Sequence, residues 1–252
     1  MRADQLLVAQ GLAPTRSAAQ RLIARGAVRW LGPKGWAVPA KAGEDLPTDC
    51  AIEVTDDAEL RWVSRGGLKL AGALERCGVA VAGRHALDIG QSTGGFTDVL
   101  LSRGAAKVYA VDVGTNQLAW KLRNDPRVVV HEQTNARNLT SEIIPEPVDI
   151  IVCDASFISL AKVLDRALDF AREGGRLVAL VKPQFEAERG EIGKGGVVRD
   201  PAVRERVCAA AADWVRSRGW SVYGMVESPI TGPEGNVEYL LAARLSAPRR
   251  AA

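Results

Sequence analysis

Residues 86–101 read ALDIGQSTGGFTDVLL, and the change of character along this stretch decides the fold. An apolar run with one acid, Asp88, gives way to a turn holding Gly90, Gly94 and Gly95, then to a helical pattern, TDVLLSRG. Glycines let a backbone turn tightly from strand into helix and lie close against a ligand. A dinucleotide fingerprint would need G-x-G-x-x-G at this turn. Asp88 stands where its first glycine belongs, and the next glycine after Gly90 comes four residues later. The dehydrogenase pattern therefore fails. An acid at the strand end also suits a cationic ligand better than a pyrophosphate.

Outward from this turn, strand and helix patterns alternate. The strands read ALDIG (86–90), KVYAVDV (107–113), RVVVHE (127–132), VDIIVCD (148–154) and RLVALVK (176–182). Helical patterns follow most of them: TDVLLSRG, QLAWKLRN, SLAKVLDRALDFAREG (159–174) and AVRERVCAAAADWVRSRG. Continuous Val/Ile/Leu runs between helices predict a parallel sheet covered on both faces. Two closing strands, WSVYGMVESP and VEYLLAARL, follow one another and predict an antiparallel addition at one edge. The fold class is thus α/β and Rossmann-like, a mostly parallel seven-stranded sheet with its last strand antiparallel.

That topology gathers charge. Ligands of such sheets lie beyond the carboxyl ends of the strands. Asp88, Asp112, Asp154 and Lys182 each end a strand, and Glu238 starts the antiparallel one. Lys69 lies on a helical stretch, GLKLAGALERCG, placed to pack beside the crevice. Asp112 stands where an acid binds the two hydroxyls of a ribose. An adenosine with an ammonium and a sulfonium, S-adenosylmethionine, fits this arrangement. Asn135 is read either as a contact to the adenine edge or as a turn-stabilising side chain.

The remainder of the chain is a small basic head. Residues 1–41 carry seven Arg/Lys against one acid, Asp4, while residues 42–59 carry seven acids and no base. Pro14-Thr15 starts a helix with Thr15 as cap, Ala18, Ala19, Leu22 and Ile23 form its buried face, and Gly26 stops it. Arg16, Arg21 and Arg25 project from the other face, and strands follow at VRWLG and AIEVT. The expected divisions are a head at 1–59, a linker at 60–64, a body at 65–246 and a tail at 247–252. The 252 residues are 47% hydrophobic and 25% charged with net charge +3, ordinary for a globular protein. The four cysteines, Cys50, Cys77, Cys153 and Cys208, have irregular gaps, which predicts neither a disulfide framework nor a metal site. The absence of a signal peptide and of a membrane-length apolar run predicts a cytoplasmic protein with no membrane span. Both histidines, His85 and His131, match no triad and are read as structural.

These stretches resemble the TlyA family of ribosomal RNA 2′-O-methyltransferases, also labelled hemolysins. The resemblance is carried by SRGGLKLAGAL, DIGQSTGGFTDVLL, VYAVDVGTNQLAWKLRNDPRV, DASFISL, LVKPQFE, GKGGVVRDP and ITGPEGNVEYLL, and extends from Arg2 to about Leu245. The body resembles FtsJ-like ribose methyltransferases. The head resembles the RNA-binding module named after ribosomal protein S4.

What the resemblance implies is 2′-O-methylation of a cytidine in ribosomal RNA or ribosomal subunits, with S-adenosylmethionine as methyl donor. Lys69, Asp154, Lys182 and Glu238 are then the catalytic set. Lys182 either takes the proton of the ribose hydroxyl or stays charged and stabilises the alkoxide. The expected cofactor contacts are Asp88, Gly90, Ser92, Thr93, Gly94, Gly95, Phe96, Asp112, Val113, Asn135 and Asp154. The expected RNA contacts are Arg2, Arg16, Arg21, Arg25, Lys41, Arg65, Arg189 and Lys194, the last two on a glycine-rich loop, ERGEIGKGGVV, read as mobile or disordered. Two rivals stand beside this reading. A base-directed methyltransferase would show Asp/Asn-Pro-Pro-aromatic where this chain has Asp154-Ala155-Ser156-Phe157. A membrane-lytic protein would show a basic amphipathic helix, and none is visible.

Overall fold

The computed structural model describes residues 1–57 and 60–246. Two compact units emerge, Met1–Ser64 and a second starting at Arg65. Residues 60–64, expected as a separate linker, fall in the first unit, where Leu60 packs on the head's core. The expected tail at 247–252 lies outside the described residues.

The head consists of α1 (Ala3–Ala9), α2 (Arg16–Ala24), β1 (Val28–Gly32), β2 (Gly35–Ala37) and β3 (Ile52–Val54). The Thr15 hydroxyl caps α2 by accepting the Ala18 N–H at 3.2 Å. Ala18, Ala19, Leu22 and Ile23 are buried with Leu6 and Leu7 of α1 in one apolar cluster. The three strands form an antiparallel sheet in the order β2-β1-β3.

The body runs α3 (Gly66–Arg76), β4 (His85–Ile89), α4 (Gly95–Ser102), β5 (Lys107–Val111), α5 (Trp120–Arg123), β6 (Val128–His131) and β7 (Val148–Cys153). It continues with α6 (Leu160–Leu164), β8 (Ala171–Val181), α7 (Pro183–Glu186), α8 (Pro201–Ser217), β9 (Trp220–Glu227) and β10 (Tyr239–Leu245). The seven strands order as β6-β5-β4-β7-β8-β10-β9. Pairs among β4 to β8 are parallel, and β10 runs antiparallel to both its neighbours. The closing pair thus adds at one edge as expected, with the last strand inserted between β8 and β9.

The central strand β7 shows why the sheet is parallel: Val148, Ile150, Ile151, Val152 and Cys153 are all buried, so both its faces are covered. Leu87, Ile89, Ile151 and Leu177 share an apolar cluster with Leu164 of α6 and Val207 and Val215 of α8. Each fully buried side chain of this size contributes about 2 kcal/mol. Asp88 alternates with Leu87 and Ile89, so it faces the other way, under α4.

Two helical expectations fail. The stretch at 159–174 forms only the five-residue α6 and a short 3-10 turn, Ala167–Phe170. From Ala171 it is strand, pairing with Val148. The adjoining Gly174 and Gly175 are poor helix formers, and the parallel partner offers the backbone its hydrogen bonds instead. QLAWKLRN likewise yields one four-residue turn, Trp120–Arg123. The strands also end a residue or two early, so Asp112, Asp154 and Lys182 open the loops beyond β5, β7 and β8.

Candidate active site and cofactor cavity

The register of β8 and β10 builds the site. Tyr239 stands opposite Val181, so the next residues along, Glu238 and Lys182, meet at the carboxyl edge of the sheet. The four expected residues form two ion pairs. Lys69, reaching over from α3, places Nζ 2.6 Å from Glu238 Oε2, with the two side chains 9% and 0% exposed. Gln184 donates to the other Glu238 oxygen at 3.2 Å. Lys182 Nζ lies 2.7 Å from Asp154 Oδ1. It also donates to Ser156 Oγ at 2.8 Å and to the Asp154 carbonyl at 3.2 Å. Charges this deep persist only when paired, because an isolated one loses its hydration without compensation. Gly232 leaves room for the arrangement, since a Cβ there would run into the Glu238 carboxylate.

Beside these pairs, at the ends of β4, β5 and β7, lies a cavity of about 510 Å³. Its size suits a nucleoside-sized ligand. Gly90 forms one wall with φ +78°, where any Cβ would stand 2.9 Å from the Ala155 backbone. The turn therefore presses directly against the loop after β7, which only glycine permits. Asp112 lines the cavity while its two oxygens accept the Ser92 N–H at 2.8 Å and the Gly114 N–H at 2.7 Å. Ser92, Val113, Asn135 and Asp154 line it too. Asn135 also accepts the Arg137 N–H at 3.0 Å, which bears out the turn-stabilising reading at a residue that lines the cavity.

Asp88, Thr93, Gly94, Gly95 and Phe96 do not line the cavity. Asp88 is fully buried, its Oδ2 accepting the Thr97 hydroxyl at 2.6 Å and its Oδ1 having no partner among the described residues. Burial pushes its carboxyl up to about 7. Strand alternation sends it under α4, away from the cavity, so an acid at a strand end was an insufficient signal for cofactor contact. Cys153 alternates away from Asp154 into the apolar cluster, and burial pushes its thiol up to about 12. His131 stacks on Tyr109 and His85 meets Glu146, a structural setting for both.

Four residues were missed in the sequence. Ser156 and Gln184 complete the two ion pairs. Glu186, its carboxyl pushed up by burial, accepts the Leu160 N–H at 2.6 Å and so caps α6 from a distance. Phe157 is 90% exposed at the cavity mouth with φ +65°, and its ring centre lies 5.1 Å from that of Phe185. A non-glycine residue in that conformation is strained, and such strain concentrates at functional loops. All four stand in DASFISL or LVKPQFE, within four residues of the lysine or acid already singled out.

The expected RNA contacts divide. Arg2 and Arg16 both pair with the buried Asp4, at 3.0 and 3.2 Å. The Arg2 guanidinium holds that carboxyl well below the usual carboxylate range. Arg16 therefore does not simply project outward, because the buried acid beneath needs cations. Arg25 and Lys41 are exposed and Arg21 is half-buried. Arg65 donates to the Thr231 carbonyl at 3.0 Å. Arg189 and Lys194 are exposed on their loop. Asn236, 4% exposed, pins it by accepting the Val198 N–H at 3.2 Å and donating to the Gly196 carbonyl at 3.0 Å.

Comparison with known proteins agrees with this geometry. Residues 62–245 match the FtsJ-like methyltransferase family, and residues 1–29 match the S4 domain. A protein of Mycobacterium tuberculosis described as 16S/23S rRNA (cytidine-2′-O)-methyltransferase TlyA is 52% identical, over 98% of this chain and 91% of its own. Hemolysin A of Brachyspira hyodysenteriae is 43% identical, over 95% of this chain and 98% of its own. A solved structure of a candidate hemolysin from Streptococcus thermophilus superposes with a TM-score of 0.73 at 42% identity, covering 98% of this chain and 88% of that one. Paired lysines and carboxylates at the edge of a methyltransferase sheet, beside a nucleoside-sized cavity, thus accompany identity along nearly the whole length: the chain belongs to the TlyA family of FtsJ-like methyltransferases.

Proposed function

We propose that this protein methylates the 2′-oxygen of a cytidine ribose in ribosomal RNA, with S-adenosylmethionine as donor, and works in the cytoplasm where ribosomes are. The carrying observation is Lys182 Nζ, held by Asp154 and Ser156 beside the Lys69–Glu238 pair and the cavity. S-adenosylmethionine, when bound, supplies an electrophilic methyl on a sulfonium. The cavity fits it: Asp112 offers a carboxylate for ribose hydroxyls, Asn135 an amide for the adenine edge, and Gly90 a close backbone wall. Asp154 and Ser156 carry the wall to the reacting edge.

Lys182 Nζ donates two hydrogen bonds, to Ser156 Oγ and the Asp154 carbonyl, and contacts the Asp154 carboxylate as an ion pair, a setting that suits an ammonium. That favours the charged role of the two left open by the sequence. A ribose hydroxyl displacing Ser156 from Nζ is oriented there, and the ammonium stabilises negative charge developing on its oxygen. The Asp154 carboxylate, in contact with the same Nζ, receives the proton. Glu238 and Lys69 brace the opposite side. Alignment of oxygen and methyl supplies much of the remaining rate. The S4 domain, with Arg21, Arg25 and Lys41, is the RNA-binding head. The name hemolysin in relatives does not alter this reading; among the described residues no helix is long and apolar enough to cross a membrane.

The test supplies labelled S-adenosylmethionine with naked ribosomal RNA and with separated subunits, then maps the product by alkaline cleavage. A 2′-O-methylated site resists cleavage. Labelled RNA that remains fully cleavable overturns ribose methylation and favours the base-directed reading.

A further inference from the structure

A second charged site lies at the opposite end of the same strands. Antiparallel pairing sets Arg176 of β8 directly across from Arg244 of β10. Ser221 of β9 stands across from Arg244 on the other side, so the three form one rung across three strands. Like charges directly opposite on a sheet repel. Among the described residues neither arginine has a carboxylate partner within ion-pair distance. Both line an open cavity of about 820 Å³, together with Glu173, Tyr223 and Ser246. The Arg176 guanidinium sits over the Tyr223 ring at 5.6 Å, and Tyr223 as a residue remains 45% exposed. The Ser221 and Ser246 hydroxyls share one hydrogen bond of 2.7 Å, leaving further hydrogen-bonding capacity on both.

We infer that this rung binds a backbone phosphate of the RNA substrate, outside the active site; the inference rests on the proposed function. Two guanidinium forks facing one cavity match the several oxygens of a phosphodiester. Glu173 leaves the cavity lining with a net charge of +1, which suits a single phosphodiester rather than a dense cluster of anions. The partly exposed Tyr223 offers a neighbouring base an aromatic contact beside the arginines. Arg176 lies six residues back from Lys182, so the site stands roughly 20 Å along β8 from the reacting edge. An RNA engaged at both ends is therefore held along the length of the strand while its target ribose stays at Lys182.

The experiment compares the full chain with Arg176→Gln/Arg244→Gln and with Arg176→Lys/Arg244→Lys. Binding to a ribosomal RNA transcript is read by fluorescence anisotropy over a salt series. The glutamine pair is expected to weaken binding by about 10-fold at moderate salt and to lower the salt slope by about one. The lysine pair, which keeps charge but loses the fork, falls between. S-adenosylmethionine affinity and kcat at saturating RNA stay at wild-type values while KM for RNA rises. Unchanged affinity and slope, with wild type binding normally, overturn the phosphate site alone. Normal binding to naked RNA but weakened binding to intact subunits also overturns it and points to an acidic ribosomal protein. If the wild-type chain neither binds nor methylates RNA, the proposed function falls and this site with it.

Discussion

The two ends of β8 treat charge in opposite ways. At its carboxyl end Lys182 is buried, paired with Asp154, and flanked by the equally buried Lys69–Glu238 pair. At its other end Arg176 faces a second arginine, partly in water, with no carboxylate partner among the described residues. Burial enforces pairing, because an unpaired buried charge is too costly to keep. Solvent tolerates an unpaired one and leaves it available to a ligand. The same strand thus carries a buried, paired edge and an exposed, unpaired one.

The harshest way to break this contrast is Lys182→Ala. Methyl transfer is expected to fall by about 10³-fold, in the range typical of a lost proton-transfer or oxyanion-stabilising group. S-adenosylmethionine affinity, read by calorimetry, should hold. Unchanged transfer would remove Lys182 from the chemistry. Next comes Lys69→Ala, which strands Glu238 in the interior and should lower stability by about 3 kcal/mol in urea unfolding. The double change Lys69→Met/Glu238→Leu should be milder than the single one, because no bare charge remains. An equal or larger loss would mean the pair stabilises by more than mutual neutralisation.

Buried carboxylates give a third test, through pH. Asp88 is held by Thr97 with no cation beside it among the described residues, and burial pushes it up to about 7. Native protein then holds its proton more tightly than the unfolded chain does. Its contribution to stability is full below about pH 4, declines as pH rises through about 7, and is flat above. Asp88→Asn should remove that decline, as seen in melting curves across this window. Asp4 in the head is the reverse case: its arginines lower its pKa, so its contribution is present above about pH 4 and is lost in strong acid. The smallest expected effect belongs to the open edge. Arg244→Glu should convert a repelling rung into an attracting one and stabilise the fold by roughly 0.5 kcal/mol. A loss of stability instead would show that Arg244 already has a structural role.

Much of this was legible along the chain. Apolar runs of strand length, helical spacing in residues 201–217 and the glycine turn all follow from local period and backbone preference, which neighbours in sequence decide. Thr15 as a cap and Lys182 at a strand end follow the same logic. Legibility ended where distant segments compete. Residues 171–174 carry a helical pattern, yet pairing with β7 takes them into β8. Asp88 looked like a cofactor contact until alternation turned it under α4.

The amino-acid sequence by itself determined the α/β class, the glycine turn and the residue types available for chemistry. Only the tertiary structure decided which lysine meets which carboxylate, that Ser156 and Gln184 complete the pairs, and that Arg176 faces Arg244. Those outcomes depend on β10 inserting between β8 and β9 in one register, and a register is set by packing and hydrogen bonds between segments far apart in sequence.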